Sequence, residues 1–114
     1  EKDVEFIHAP FGILGLETAW GLIGRELIDP GVLSVAEAVQ KLTVAPRRIL
    51  RLDVPQVAEG EPARLTVFDA STEWTFAESD IRSKSENTPF VGHQMIGRPW
   101  AVYSDGQFVR CSDA

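Results

Sequence analysis

Ile13, Leu16, Trp20, Ile23 and Leu27 recur at i, i+3, i+7, i+10 and i+14. That spacing lines five apolar side chains along one face of a helix. Leu14, Leu22 and Ile28 widen the stripe, so a helix here must be covered on most sides. The spacing predicts a helix over 13–28, ended by Asp29-Pro30-Gly31, a strong stop because Pro cannot continue a helix and Gly caps one. Upstream, Pro10 fixes its own φ and keeps Ala9 extended. Gly12 lacks a Cβ, so another group can approach its backbone closely. The unsatisfied N–H groups of the predicted first turn then point back towards Phe11 and Gly12, an arrangement that suits an anion or a carboxylate. An ordinary loop entering a buried helix uses the same residues, and from the spacing alone both readings stand.

A second helix opens at Ser34, with Glu37 three residues on as a capping box. Its apolar stripe is Val35, Ala38, Val39 and Leu42. Ala45-Pro46 breaks it, and Pro46 suits the first position of a third, short helix through Arg47, Arg48, Ile49 and Leu50. The character changes after Leu52. Residues 53–62 contain Pro55, Gly60 and Pro62 and read as a linker with turns. Residues 64–69 alternate as a strand, and 73–76 form a second short one. Residues 77–97 are irregular around Thr88-Pro89-Phe90-Val91-Gly92. Strands at 99–103 and 107–111 flank Ser104-Asp105-Gly106, a hairpin with an Asp-Gly turn. Helices first and strands afterwards predict two regions, 1–52 and 53–114. The strands are few and a lone hairpin is marginal in water, so they need strands from elsewhere. Residues 1–8 form a polar loop anchored by Val4, Phe6 and Ile7. With no cap or strand pattern, that opening reads as the middle of a longer chain.

Charge and cysteine usage narrow the function classes. The 114 residues carry a net charge of −6, which disfavours a nucleic-acid surface. Residues 1–52 hold seven acids and six bases, and 53–114 hold ten and five, so the excess sits in the second region. The single Cys111 permits no internal disulfide and favours a reducing, cytoplasmic setting. No apolar run nears the ~18 residues of a membrane span. His8 and His93 are far apart and belong to no local ligand motif, so no metal site is predicted from these residues. Ser83-Lys84-Ser85 has the wrong spacing for a Ser-x-x-Lys nucleophile, and Lys84 reads as a surface or interface charge. Glu17 suits the dipole of the predicted first turn, a structural role. Cys111 has no neighbouring base. No catalytic constellation is expected within the chain.

Four blocks carry a resemblance. Ala9-Pro10-Phe11-Gly12-Ile13-x-Gly15-Leu16-Glu17-Thr18 resembles the segment after the last barrel strand in class I, bacterial-type dihydroorotases. Leu42-Thr43-x-x-Pro46-x-x-Ile49 is similar to that family's next helix junction. Gly60-x-x-Ala63-x-Leu65-x-x-Phe68-Asp69 resembles a strand motif of many amidohydrolases. Ser83-Lys84-Ser85-x-Asn87-Thr88-Pro89-Phe90-x-Gly92, with Gly97-Arg98 and the Asp105-Gly106 turn, looks like the family's C-terminal signature. The blocks run in order over nearly the whole chain, and the first and last are the specific ones. Ala45 stands where the family usually has Asn, Arg51 where it has Gly, and Arg64 where it has Asp.

The resemblance implies an α+β fragment. It would comprise the last helices of a (β/α)8 TIM barrel, followed by strands of a small composite β-sandwich, in the C-terminal portion of a longer enzyme. The whole enzyme would interconvert N-carbamoyl-L-aspartate and L-dihydroorotate in pyrimidine biosynthesis. Zinc would polarise the carbonyl and activate water, and an aspartate would shuttle protons. On this resemblance the zinc ligands and that aspartate would lie upstream of this chain. His8-Ala9-Pro10 echoes the family's Asp-His-Ala-Pro-His but lacks its Asp and second His. The family's substrate-contacting Phe-Gly backbone maps to Phe11 and Gly12. Partners implied are the small-molecule substrate, the missing N-terminal portion, and a second copy or aspartate transcarbamoylase. An inactive paralogue scaffolding aspartate transcarbamoylase is the alternative. A related cyclic-amide hydrolase, an allantoinase or hydantoinase, is disfavoured by residues 83–92.

Overall fold

The computed structural model describes residues 4–9 and 11–111, without the Phe6 side chain. The expectations for residues 1–3, for Pro10 and for the packing of Phe6 lie outside the described residues.

The capping box forms as its spacing predicts. Glu37 N donates to Ser34 Oγ at 3.2 Å, and Ser34 N donates to Glu37 Oε2 at 2.8 Å. This satisfies two orphan donors at the start of helix α2, Val35–Leu42. Ala38 is the buried residue of its stripe, and Leu42 stays exposed.

Helix α3, Val44–Ile49, begins two residues before Pro46, which sits in the first turn where its missing N–H costs nothing. It ends in a Schellman motif. Leu52 N donates to the Arg47 carbonyl at 2.8 Å and Arg51 N to the Arg48 carbonyl at 3.2 Å. The motif needs a left-handed residue, and Arg51 supplies it with φ +56°.

The first helix is much shorter than its periodicity predicts. Helix α1 spans Ala19–Ile23 and runs on as a π turn, Gly24–Ile28, closed by Asp29 N donating to the Gly24 carbonyl at 2.8 Å. Residues 12–15 are irregular and 16–18 form a turn. Two things delay the helix. Gly12 has φ +93°, outside the helical region, and Leu14 N donates at 2.9 Å to the carbonyl of Asn87, far along the chain. The lower stripe of Trp20, Ile23 and Leu27 is half-buried, whereas Ile13 and Leu16 are exposed. Val4 and Ile7, expected to anchor the opening loop, are exposed too.

The two predicted strand runs are one strand. β1, Leu65–Thr75, pairs antiparallel with β2, Gln94–Ser104, and β2 with β3, Gln107–Arg110, giving the order β1-β2-β3. The ladder slips between Asp69 and Glu73. There the Asp69 carboxylate accepts from Ser71 N and Ser71 Oγ, both at 2.7 Å, and from Thr72 N at 3.2 Å, a local turn inside the strand. β2 starts at Gln94, earlier than the pattern predicts. Asp105 and Gly106 both have positive φ, 52° and 79°, as the primed two-residue hairpin turn requires.

α1 lies on β2. Gly21 faces Met95, and a Cβ at Gly24 would overlap the Ile96 carbonyl oxygen, so the backbones touch only because position 24 is glycine. Trp20 meets Phe68 edge to face, with centroids 4.6 Å apart. Among the described residues the buried apolar ones are Ala38, Phe76, Met95 and Ala101, a thin core. The radius of gyration, 16.4 Å, exceeds the about 13 Å expected of a compact domain of this length.

Candidate functional site

Phe11 and Gly12 lie on an exposed loop, with the Phe11 side chain wholly in solvent. A Cβ built on Gly12 meets nothing within 4 Å, so the requirement for glycine here is its φ of +93°. Six residues separate Gly12 from the first residue of α1 at Ala19, so no helix N-terminus stands beside it. The loop is held by a different device, made with residues 82–87.

Asn87 makes a two-way link to it. Its Nδ2 donates to the Gly12 carbonyl at 2.8 Å, and its own carbonyl accepts from Leu14 N at 2.9 Å. Glu17 makes the second link. Its Oε1 accepts from Ser83 Oγ at 2.6 Å, Ser83 N at 2.9 Å and Arg82 N at 3.3 Å. The Ser83 hydroxyl, helped by the backbone N–H groups of Ser83 and Arg82, holds the Glu17 carboxyl below its ordinary value against the opposing cost of burial. Glu17 Oε2 is buried without a hydrogen-bond partner among the described residues. Thr18, 1 % exposed, follows directly, so the second link sits at the edge of the core. Glu17 is thus structural, as expected, but its partner is the loop after β1 and not a helix dipole.

The 83–92 segment is itself anchored to the sheet. Gly92 N donates to the Phe76 carbonyl at 2.8 Å, and Phe76 N to the His93 carbonyl at 3.0 Å. Phe76 is buried. The His93 ring packs edge-on to Phe90 with centroids 5.6 Å apart, and His8 is exposed in a 3₁₀ turn, Phe6–His8. Among the described residues no three His, Cys, Asp or Glu side chains gather into a possible metal centre. Cys111 is half-buried, its N–H donating to the Trp100 carbonyl at 2.9 Å. Among the described residues no helix is long and apolar enough to cross a membrane.

The loop presents exposed backbone in a conformation fixed from behind. Sequence reasoning named both halves, residues 9–18 and 83–92, but missed that they bond to each other. No local signal in either half reveals it.

No family model matches the chain. Individual relatives do. It is 41% identical over 109 residues to a protein from Chlorobaculum tepidum named dihydroorotase, covering 96% of this chain and 25% of that protein. A dihydroorotase of Pelotomaculum thermopropionicum is also 41% identical over 109 residues, 96% of this chain and 26% of its own. One from Brevibacillus brevis is 43% identical over the same share of each. The chain therefore spans about a quarter of the length of the curated relatives it matches. With 36–43% identity sustained across nearly all of its residues, the chain belongs to the dihydroorotase family and corresponds to the C-terminal part of its members.

Proposed function

We propose that the complete protein is a dihydroorotase interconverting N-carbamoyl-L-aspartate and L-dihydroorotate, and that this segment lines the substrate site through the backbone of Phe11 and Gly12. The observation that carries the second part is Gly12. It combines exposure, a φ of +93° and a carbonyl tied back to Asn87. Both substrates carry carboxylates, and a backbone N–H hydrogen bond to a charged acceptor contributes roughly 1.5–3 kcal/mol. The relatives' shared name supports the reaction. The metal, zinc on this reading, is held by residues outside the described segment, as is the catalytic acid–base group.

The exposed apolar side chains support the architecture. Residues 1–52 close a (β/α)8 barrel, and 53–114 complete a β-sandwich whose other strands come from the remaining chain. The low cysteine content fits the cytoplasm. No observation favours the scaffolding alternative, and none selects a second copy or aspartate transcarbamoylase as partner.

Gly12→Val in the complete protein tests the site. A β-branched residue is strained at this φ and would crowd a bound substrate. Substrate binding is expected to weaken ten-fold or more, on the order of 1.4 kcal/mol or above, with metal content unchanged. Unchanged KM and kcat would overturn the assignment, and lost metal would indicate a folding defect instead.

A further inference from the structure

We propose that Asn87, Ser83 and Glu17 are positioning residues, a two-point clamp by which the 82–87 loop sets the Phe11–Gly12 backbone for substrate. This deepens the function proposed above and rests on its placing of substrate against that backbone. The two points are independent in chemistry and in place. Asn87 grips the loop at Gly12 and Leu14 through a reciprocal amide pair. Glu17, three residues beyond Leu14, is gripped by the hydroxyl and N–H of Ser83. Residues 12–15 have no regular structure of their own, and a positive-φ glycine resists no bending by itself. The turn at 16–18 closes on the Gly15 carbonyl through Thr18 N and Ala19 N, so it is the stretch before that turn whose conformation the clamp sets. The segment that carries the clamp is in turn tied to buried Phe76 through Gly92 and His93. An acceptor at the Gly12 carbonyl needs a donor opposite, which the Asn87 amide provides and a carboxylate cannot.

Asn87→Asp is the discriminating variant, because it keeps the shape and removes that donor. In the complete protein the Leu14 amide should exchange with solvent faster. KM for dihydroorotate should rise roughly three- to ten-fold, the equivalent of one lost hydrogen bond, with kcat falling much less. Ser83→Ala should act in the same direction and more weakly, since Ser83 N still reaches Glu17. It also serves if Asn87→Asp does not fold. Asn87→Gln, which retains an amide donor, should recover part of the loss. A purely structural role would lower stability and kcat without separating KM from kcat. Faster Leu14 exchange with unmoved KM would overturn the proposal, because a loosened loop would then not matter to substrate. Unmoved exchange would overturn the clamp itself, while the Gly12→Val result would still decide separately whether substrate meets the loop.

Discussion

Glu17 keeps its charge because three donors converge on one of its oxygens. A carboxyl whose value is lowered in the folded state adds stability above its ordinary value, 4.5, and loses it as pH falls through the lower folded value. The Ser83 link therefore contributes fully at neutral pH and weakens only as acidification passes below the carboxyl's ordinary value. Glu17→Gln keeps an oxygen but no charge. Its melting temperature should lie below that of the parent at neutral pH, and the gap should close as the parent's carboxylate is protonated. Thermal melts of the complete protein across that range check this, and a gap that persists on strong acidification would mean that charge plays no part. Asp69 and Glu37 are lowered too, Asp69 by the Ser71 N–H and Glu37 by the Ser34 N–H. Both lie open to solvent, and their hydrogen bonds shape a bulge and a cap.

At the scale of elements, the C-terminus of α3 holds an unrelieved conflict. Arg51 occupies the left-handed position of a Schellman motif, φ +56°, where a Cβ costs roughly 1–2 kcal/mol. The family resemblance expects Gly there, and the backbone explains why. Arg51→Gly should stabilise the complete protein by about 1 kcal/mol, read as a higher urea midpoint with an unchanged slope. Features set by adjacent residues were the legible ones. Ser34 and Glu37 announce their cap, and Asp105-Gly106 announces its turn. The start of α1 was not legible, because Ile13, Leu14 and Leu16 keep a helical period while Asn87, 75 residues beyond Gly12, takes the loop for itself. The union of the two strand runs into β1 also escaped, since Asp69 bridges them with its own side chain in a turn that composition reads as a break. At the site, Phe11 and Gly12 were named through the resemblance, and their holders were seen only as separate motifs.

The molecule as a whole is open. Phe11, Leu16, Ile49 and Val57 are each more than three-quarters exposed, and a wide cleft of about 470 Å³ runs beside Trp20, Val39, Leu42, Val57 and Phe68. Apolar surface of this kind ordinarily marks an interface or an aggregation hazard. The isolated 114-residue segment should associate with itself, seen by light scattering, and exchange its α1 amides quickly. A monodisperse monomer with protected amides throughout would contradict that. The clamp also imposes an order of events during synthesis. Gly12 leaves the ribosome 75 residues before Asn87, a delay of roughly 4–15 s at ordinary translation rates. For that interval the nascent polypeptide holds its Phe-Gly loop unset, however completely the preceding portion has folded. A ribosome halted before Ser83 would thus release a product whose loop is present in every atom and has nothing to fasten it.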